Sequence, residues 1–211
     1  MIGYSVRKSN QWLLIFIVTL VLSGCIGRKA PEVTYYSLLT MEQLGEVQAV
    51  VSLPDVNLGV GPVTIPDSLK RSQIATRQHG NQYAFDEFNR WAGVLEKDAT
   101  AVLGDNLGLL LGIEKIGFFP WLYHFKPEYR VAVIVIRLDG DLNSDAVLSA
   151  RWAISDSDGK NLLAAGKSDY RQPLEGASYA ALIKAESQLV AELSKELADE
   201  IHRLIEDQKA K

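Results

Sequence analysis

The chain has 211 residues, with 22 basic and 26 acidic side chains, a net charge of −4 and a single cysteine. This acidic balance argues against nucleic acid and anionic lipid surfaces as partners of the chain as a whole. One cysteine cannot form an internal disulfide, so burial of apolar surface must stabilise the fold.

The first 25 residues have the organisation of a bacterial lipoprotein signal. Arg7 and Lys8 precede the apolar run from Trp12 to Leu22, and Ser23-Gly24 lead to Cys25. A secretory signal has a basic start, an apolar stretch of about 7 to 15 residues and small residues at the cleavage site, whereas a membrane span needs about 20 apolar residues. We therefore expect residues 1–24 to be removed and Cys25 to carry acyl chains such as palmitate.

A lipidated Cys25 would hold the protein on a membrane, because two or three acyl chains anchor far more firmly than one. Residues 25–33 form the expected tether, which reaches about 30 Å at most when extended. Ile26 stands where an aspartate commonly retains enterobacterial lipoproteins in the inner membrane, so the periplasmic face of the outer membrane is favoured. The remaining 187 residues have a net charge of −6 and suit a single domain, expected over residues 34–208.

The first half of this domain reads as short strands followed by one helix. We predict strands at Thr34–Leu39, Ala49–Leu53, Val56–Val63, Ser72–Gln78 and Gln82–Asp86, with a turn at His79-Gly80-Asn81. Apolar residues then recur at helical spacing from about Trp91 to Leu111, and Gly112 is a natural stop.

The second half reads as three strands and a long helix. Tyr129–Leu138 is nearly all apolar, which suits a central strand covered on both faces. Leu148–Ile154 alternates in polarity, and Asp158-Gly159 predicts a hairpin to Leu162–Tyr170. Residues 178–206 carry a wide apolar stripe of helical period. We predict an α+β single domain, a mostly antiparallel sheet with two long amphipathic helices packed on one face.

No pattern in the chain points to catalysis or to a metal. His79, His124 and His202 lack metal-ligand spacing, and neither a nucleophile elbow nor a phosphate loop is present. Aspartates gather in two clusters, but in predicted turns, where local hydrogen bonds favour them. These clusters are Asp139, Asp141 and Asp145, and Asp156 and Asp158. We expect no catalytic residue, no metal and no cofactor.

Residues 118–127 concentrate aromatic side chains and include two prolines, Pro120 and Pro127. Such density can anchor a loop in a membrane interface or fill a pocket of a partner protein. The same residues can instead wedge between the first long helix and the sheet, and the sequence leaves these alternatives open. The candidate contact residues are Phe118, Phe119, Trp121, Tyr123 and Phe125.

Several segments in order behind the lipobox resemble the PqiC family (paraquat-inducible protein C), the lipoprotein components of intermembrane lipid transporters. The resemblance covers nearly the whole mature chain, and Gly93-Val94 stand where the family commonly has Glu-Pro. The segments that carry it are Tyr35-Tyr36-Ser37-Leu38, Val60-Gly61-Pro62-Val63-Thr64-Ile65-Pro66, Leu69-Lys70-Arg71, Arg90-Trp91-Ala92, Pro120-Trp121, Tyr129-Arg130-Val131, Leu138-Asp139-Gly140 and Ala150-Arg151-Trp152.

The resemblance implies a non-enzymatic outer-membrane lipoprotein that supports membrane integrity. Its implied partners are an MCE-domain protein and the inner-membrane permease of that system, with phospholipid as cargo and a homo-oligomeric ring as the assembly. Two other classes stay open from the residues: an envelope hydrolase that uses the acidic clusters, and a structural lipoprotein that binds peptidoglycan.

Overall fold

A single open sheet organises the fold. The computed structural model describes residues 31–46, 52–53, 55–78 and 81–210, and Val33–Lys211 form one compact unit. Its eight described strands form a mixed sheet. They are β1 (Thr34–Tyr36), β2 (Asn57–Thr64), β3 (Gln73–Gln78), β4 (Gln82–Trp91), β5 (Lys115–Phe118), β6 (Tyr129–Gly140), β7 (Asp145–Ser155) and β8 (Leu162–Pro173).

Strand β6 lies at the centre of this sheet. One of its edges pairs in parallel with β2 and, at Gly140, with β3, while the other edge pairs antiparallel with β7. Beyond these neighbours β5 flanks β2, β4 and β1 continue from β3, and β8 flanks β7. The longest ladders, β6 with β7 and β7 with β8, are antiparallel. The predicted mostly antiparallel sheet is therefore confirmed for its long strands, although several shorter pairings are parallel.

In the described residues three α-helices accompany the sheet: α1 (Met41–Leu44), α2 (Leu95–Leu111) and α3 (Tyr179–Lys209), with a 3-10 turn at Asp67–Leu69. Helices α2 and α3 pack against each other and on the same face of the sheet, α2 on β2 and β5, α3 on β6, β7 and β8. Their apolar stripes end in the core, where Leu103, Leu107, Leu189, Leu197 and Ile201 are almost fully buried. The predicted α+β architecture with both helices on one face is confirmed.

Helix α2 begins at Leu95, so the prediction of a start near Trp91 was wrong. The Trp91 backbone N–H donates to the Ser72 carbonyl and that of Ala92 to the Tyr36 carbonyl. These bonds hold Trp91 in β4, because a backbone committed to two neighbouring segments cannot also wind into a helix. The predicted stop is confirmed, since Gly112 adopts the left-handed conformation with φ 60°.

The segment before α1 is fixed to both long helices by side-chain acceptors, of which Ser187 and Asn106 are buried and Asp98 is half-buried. The Leu38 backbone N–H donates to Asp98 Oδ2 at 2.8 Å, that of Leu39 to Ser187 Oγ at 2.9 Å and that of Met41 to Asn106 Oδ1 at 2.8 Å. An unpaired buried N–H costs about as much as a lost hydrogen bond, so these three bonds hold the segment where β1 can join the sheet. The predicted strand at 34–39 is accordingly confirmed only for Thr34–Tyr36.

Other predicted elements are confirmed with small shifts at their ends, namely β2, β3 and β7 and the β7–β8 hairpin, where Gly159 has φ 73°. Strand β4 is confirmed at its start, but it continues past the predicted end at Asp86 to Trp91. The predicted strand Ala49–Leu53 and the turn at His79-Gly80 lie largely outside the described residues, as does Cys25. No described helix is both long and apolar enough to cross a membrane.

One carboxyl group lies in the core. Glu186 on α3 is 1% exposed, and its Oε2 has no hydrogen-bond partner among the described residues. Burial, and secondarily the negative charge of Asp139, raises the pKa of Glu186 well above its usual value. The folded protein therefore keeps a proton on Glu186 that the unfolded chain loses near pH 4.3, which is roughly the pKa of an unperturbed glutamate.

We expect the Glu186 carboxyl to make the protein less stable as pH rises. The contribution of Glu186 to the free energy of unfolding is complete while the pH is below the unfolded pKa. Above that pH it falls by about 1.4 kcal/mol per pH unit, until the carboxyl group of the folded protein ionises. Urea unfolding at several pH values should show this slope in the wild type and not in Glu186→Gln. The exposed Glu192→Gln on the same helix should keep the slope, and equal slopes in all three proteins would contradict the assignment.

Candidate functional site

The aromatic loop, residues 118–127, is the connection between the parallel strands β5 and β6. It passes over β2, which lies between them. The Phe119 N–H donates to the Val60 carbonyl at 3.0 Å, and the Glu128 N–H donates to the Asn57 carbonyl at 2.8 Å. The loop is thus fixed to β2 at both ends.

Glycines in the strands create the surface on which the loop packs. Leu58 and Val60 of β2 point into the core and are fully buried, so Gly59 points to the opposite face. A Cβ atom at Gly59 would lie 2.8 Å from both the Trp121 ring and Pro127, and one at Gly117 would lie 2.2 Å from the Phe125 ring. The absence of side chains at these glycines lets the rings lie directly against the backbone.

The rings also pack against each other. Phe119 meets Trp121 edge to face with centroids 5.5 Å apart, and Trp121 lies 6.4 Å from Phe125. Arg130 at the start of β6 extends over the Trp121 ring at 5.9 Å, within the range of a cation–π contact. Trp121 and Phe125 are therefore half-buried supports of the loop.

Only Phe118 fits the expectation that the aromatic residues wedge between helix α2 and the sheet. Its ring lies over Gly104 of α2, where an added Cβ would come within 2.4 Å of it. Trp121 and Phe125 lie on the other face of the sheet, because Gly59 and Gly117 point away from the helices. For those two residues the wedge alternative is wrong.

The tip of the loop protrudes into solvent. The Phe125 N–H donates to the Leu122 carbonyl at 2.8 Å, which closes a tight turn over Leu122, Tyr123 and His124. Leu122 and Tyr123 are strongly exposed, and Phe119 beside them is half-exposed. The loop thus combines a packed base with an apolar, solvent-exposed tip.

A second exposed surface, the open sheet face, continues from the loop over β6, β7 and β8. The expectation that β6 is covered on both faces was wrong, because Ile134 and Ile136 are exposed while Val131, Val133 and Val135 are buried. Both helices pack on the other side, and the loop covers only β2 and β5. Residues directly opposite each other on this face form the rows Ala132, Ala153 and Ala165, and Ile134, Arg151 and Lys167.

Charge on the open sheet face is mainly positive. Lys167 pairs with Asp169 at 2.6 Å and Arg137 with Asp139 at 2.7 Å. Arg151 is exposed and forms no ion pair with any residue that the structure describes. An otherwise acidic protein therefore presents an apolar strip bordered by cationic groups.

The first acidic cluster does not form a carboxylate pair. Asp139 is fully buried, and its two oxygens accept hydrogen bonds from Arg77 at 2.9 and 3.1 Å, from Arg137 at 2.7 Å and from the Tyr83 hydroxyl at 3.0 Å. Burial alone would raise the pKa of Asp139, but the hydrogen bonds from Arg77 and Arg137 hold it below its usual value. Asp139 is therefore an ionised structural group.

The other aspartates serve turns and surface pairs. Asp141 accepts from the Asn143 N–H at 2.9 Å, and Asp156 accepts from the Lys160 N–H at 3.0 Å and from the Asn161 side chain. Asp145 pairs with Arg171, and Asp158 lies 3.7 Å from the Lys160 ammonium group. Within the described ranges no group of histidine, cysteine and acidic side chains is arranged to hold a metal ion.

An open cleft of about 460 Å³ lies between α1, α2 and β5. Its apolar lining includes Ile113, Ile116 and the Phe118 ring, and Glu42, Asp105 and Glu114 border it. Phe118, the first residue of the aromatic loop, thus forms part of the wall of this cleft on the helical side of the sheet. Sequence reasoning missed this cleft and the glycine-supported loop, although glycines at alternate positions 59 and 61 of a strand are a signal of close approach.

We expect Gly59→Ala to displace the aromatic loop, because the new methyl group overlaps Trp121 and Pro127. Overpacking of this kind costs about 1–3 kcal/mol. Urea unfolding should show that loss, and Trp121 fluorescence should shift to the red as the indole becomes more exposed. Gly93→Ala is the matched control, since a Cβ there meets nothing within 4 Å. Equal effects of the two substitutions would contradict the packing described for Gly59.

Among the solved structures that share this fold are two crystal structures with similar coverage. One, of an uncharacterized protein, is 19% identical with a TM-score of 0.63, and the alignment covers 81% of this chain and 99% of that one. Another, a DUF330 protein from Xanthomonas campestris, is 14% identical with a TM-score of 0.65, covering 78% of this chain and 96% of that one. At these identities the similarity extends to the fold alone.

No curated protein matches the chain in sequence. The match to a known family covers residues 36–198, from the end of β1 to the second half of α3, and so includes the aromatic loop and the open sheet face. The chain belongs to the family of ABC-type transport auxiliary lipoprotein components.

Proposed function

We propose that this protein is the outer-membrane lipoprotein subunit of an MCE-type intermembrane lipid transport system. It docks the periplasmic end of an MCE-domain protein, whose permease lies in the inner membrane, and it catalyses no reaction. The family match over residues 36–198 carries the proposal, because it links a transport auxiliary role to nearly the whole mature domain. The lipobox that ends at Cys25 supports a lipid anchor.

The anchor determines how the protein meets its partner. Residues 26–33 between Cys25 and β1 span about 30 Å at most, so the domain stays beside its own membrane. A partner rooted in the opposite membrane must extend to reach it. Phospholipid is the proposed cargo, and several copies of the chain in a ring would surround its exit, as the PqiC resemblance implies.

The open sheet face is the proposed docking surface for the MCE partner. Scattered exposed apolar residues are ordinary, but a continuous apolar strip on a central strand is a feature of interaction sites. Ile134 and Ile136 supply that strip, and Arg151 beside them, which has no ion pair among the described residues, favours a partner segment that carries carboxylates.

The aspartate geometry supports a role without catalysis. A hydrolase that works through paired carboxylates needs one carboxyl group able to give or take a proton near neutral pH. Asp139 is held ionised by two arginines, and the Asp156 carboxylate accepts hydrogen bonds within its own turn, chiefly from the Asn161 side chain, which lower its pKa. These carboxylates therefore stabilise local structure.

We expect Cys25→Ser to abolish membrane attachment. Without the thiol no diacylglycerol can be linked, so the protein should no longer float with outer-membrane vesicles in a density gradient. Mass spectrometry of the wild type should show an acylated residue 25 at the amino terminus. An unmodified cysteine on protein released into the soluble periplasm would contradict the anchor.

We expect Ile134→Glu to weaken recovery of the MCE partner from detergent-solubilised envelopes at least ten-fold, because the new carboxylate interrupts the apolar strip and competes with the carboxylates of the partner for Arg151 opposite it. Val94→Glu is the matched control. The Val94 side chain is 58% exposed and that of Ile134 is 57% exposed, but Val94 directly precedes α2 and is not part of the open sheet face. Both variants should keep the wild-type melting temperature. Equal recovery of the partner with both variants would reject the open sheet face as the docking surface. No recovery with the wild type would reject the docking role.

A further inference from the structure

We infer that the tip of the aromatic loop inserts into the headgroup layer of a phospholipid bilayer that contains anionic lipid. The inference rests on the proposed lipid anchor, which holds the domain beside a membrane. It assigns the loop a contact separate from the open sheet face, which is the proposed surface for the protein partner.

The shape of the loop favours a bilayer as its occupant. Leu122 and Tyr123 form the end of a convex turn. A protein could bury them only in a complementary pocket, whereas the molecules of a fluid bilayer can rearrange around them. Leucine and tyrosine side chains are suited to the boundary between acyl chains and headgroups, where a tyrosine ring can be buried and its hydroxyl stays hydrated.

Because the base of the loop is fixed, insertion of the tip costs little conformational entropy. Trp121 and Phe125 pack on Gly59 and Gly117, and the Phe125 N–H bonds the Leu122 carbonyl. The tip is therefore already ordered before it meets lipid. A loop that is ordered in advance gives up less freedom on binding than a flexible one.

The local charge of the loop differs from that of the chain. Residues 115–127 contain Lys115 and Lys126 and no carboxylate, with Glu114 and Glu128 just outside this range, although the full sequence has more acidic than basic residues. Lys126 is exposed beside the tip. Cations near an anionic lipid surface are attracted to its headgroups, so the net-charge argument against such surfaces does not apply to this loop.

Trp121 provides a direct test. The acylated full-length product would be reconstituted into vesicles of phosphatidylcholine and phosphatidylglycerol in which part of the lipid carries bromine on its acyl chains, a quencher of nearby tryptophan. Trp91 and Trp152 are buried in the domain, and Trp12 lies in the segment expected to be cleaved. A Trp121→Phe protein measures the background, and we expect quenching in the wild type above that background.

A matched pair of variants separates insertion from general exposure. Leu122 is 68% exposed at the tip, and Leu162 is 66% exposed at the start of β8. The double substitution Leu122→Ser and Tyr123→Ser should reduce the quenching of Trp121 several-fold, and Leu162→Ser should leave it at the wild-type level. Thermal unfolding should be unchanged in both, because the replaced side chains make little contact with the core.

The outcomes distinguish the loop from the anchor. Protein that floats with the vesicles but shows no quenching above background overturns the inference and leaves the anchor intact. Protein that does not float contradicts the anchor and with it the inference. Quenching that persists in the double variant, or shielding of Trp121 that appears only when the MCE partner is added, also overturns insertion, the latter in favour of a protein pocket.

Discussion

The packing of both long helices on one face of the sheet is the constraint on which the rest of the molecule depends. Two amphipathic stripes each need an apolar surface, and the inward residues of β2, β6 and β7 supply it, with Val131 and Val133 almost fully buried. Burial of this kind is the dominant favourable term in folding. Because the two long helices occupy the same side, no helix among the described residues covers the opposite face of the sheet, and both candidate contact surfaces lie there.

The two surfaces differ because β2 and β6 carry different residues on that opposite face. In β2 the outward positions 59 and 61 are glycines, so a neighbouring segment can approach the backbone, and the loop after β5 fills this space with Trp121 and Phe119. In β6 the outward Ile134 and Ile136 stay exposed. Glycine thus allows the chain to cover part of its own sheet, while the isoleucines leave the remaining part available to another molecule.

Local sequence patterns predicted what is determined locally. The helical period found α2 and α3, alternation found β7, and Asp158-Gly159 found the hairpin, because each depends on residues close together in the chain. The errors arose from long-range contacts. Trp91 was assigned to a helix because its strand partners, Tyr36 and Ser72, are distant in sequence, and nothing near residue 121 indicates that its ring will lie on Gly59. Likewise, an apolar strand is compatible with burial on one face or on two, and β6 is buried on one.

Arg130 connects the two surfaces. It pairs with Gly59 in the ladder between β6 and β2, extends over the Trp121 ring and precedes the half-buried Ala132 and the exposed Ile134 on the same face of β6. The aromatic loop and the open sheet face are therefore neighbours on one continuous side of the sheet. If the loop contacts lipid and the face binds the partner, the partner must approach next to the bilayer surface. In the proposed role the domain brings two other components together on this side of the sheet, while Asp139, bound by two arginines, serves the fold.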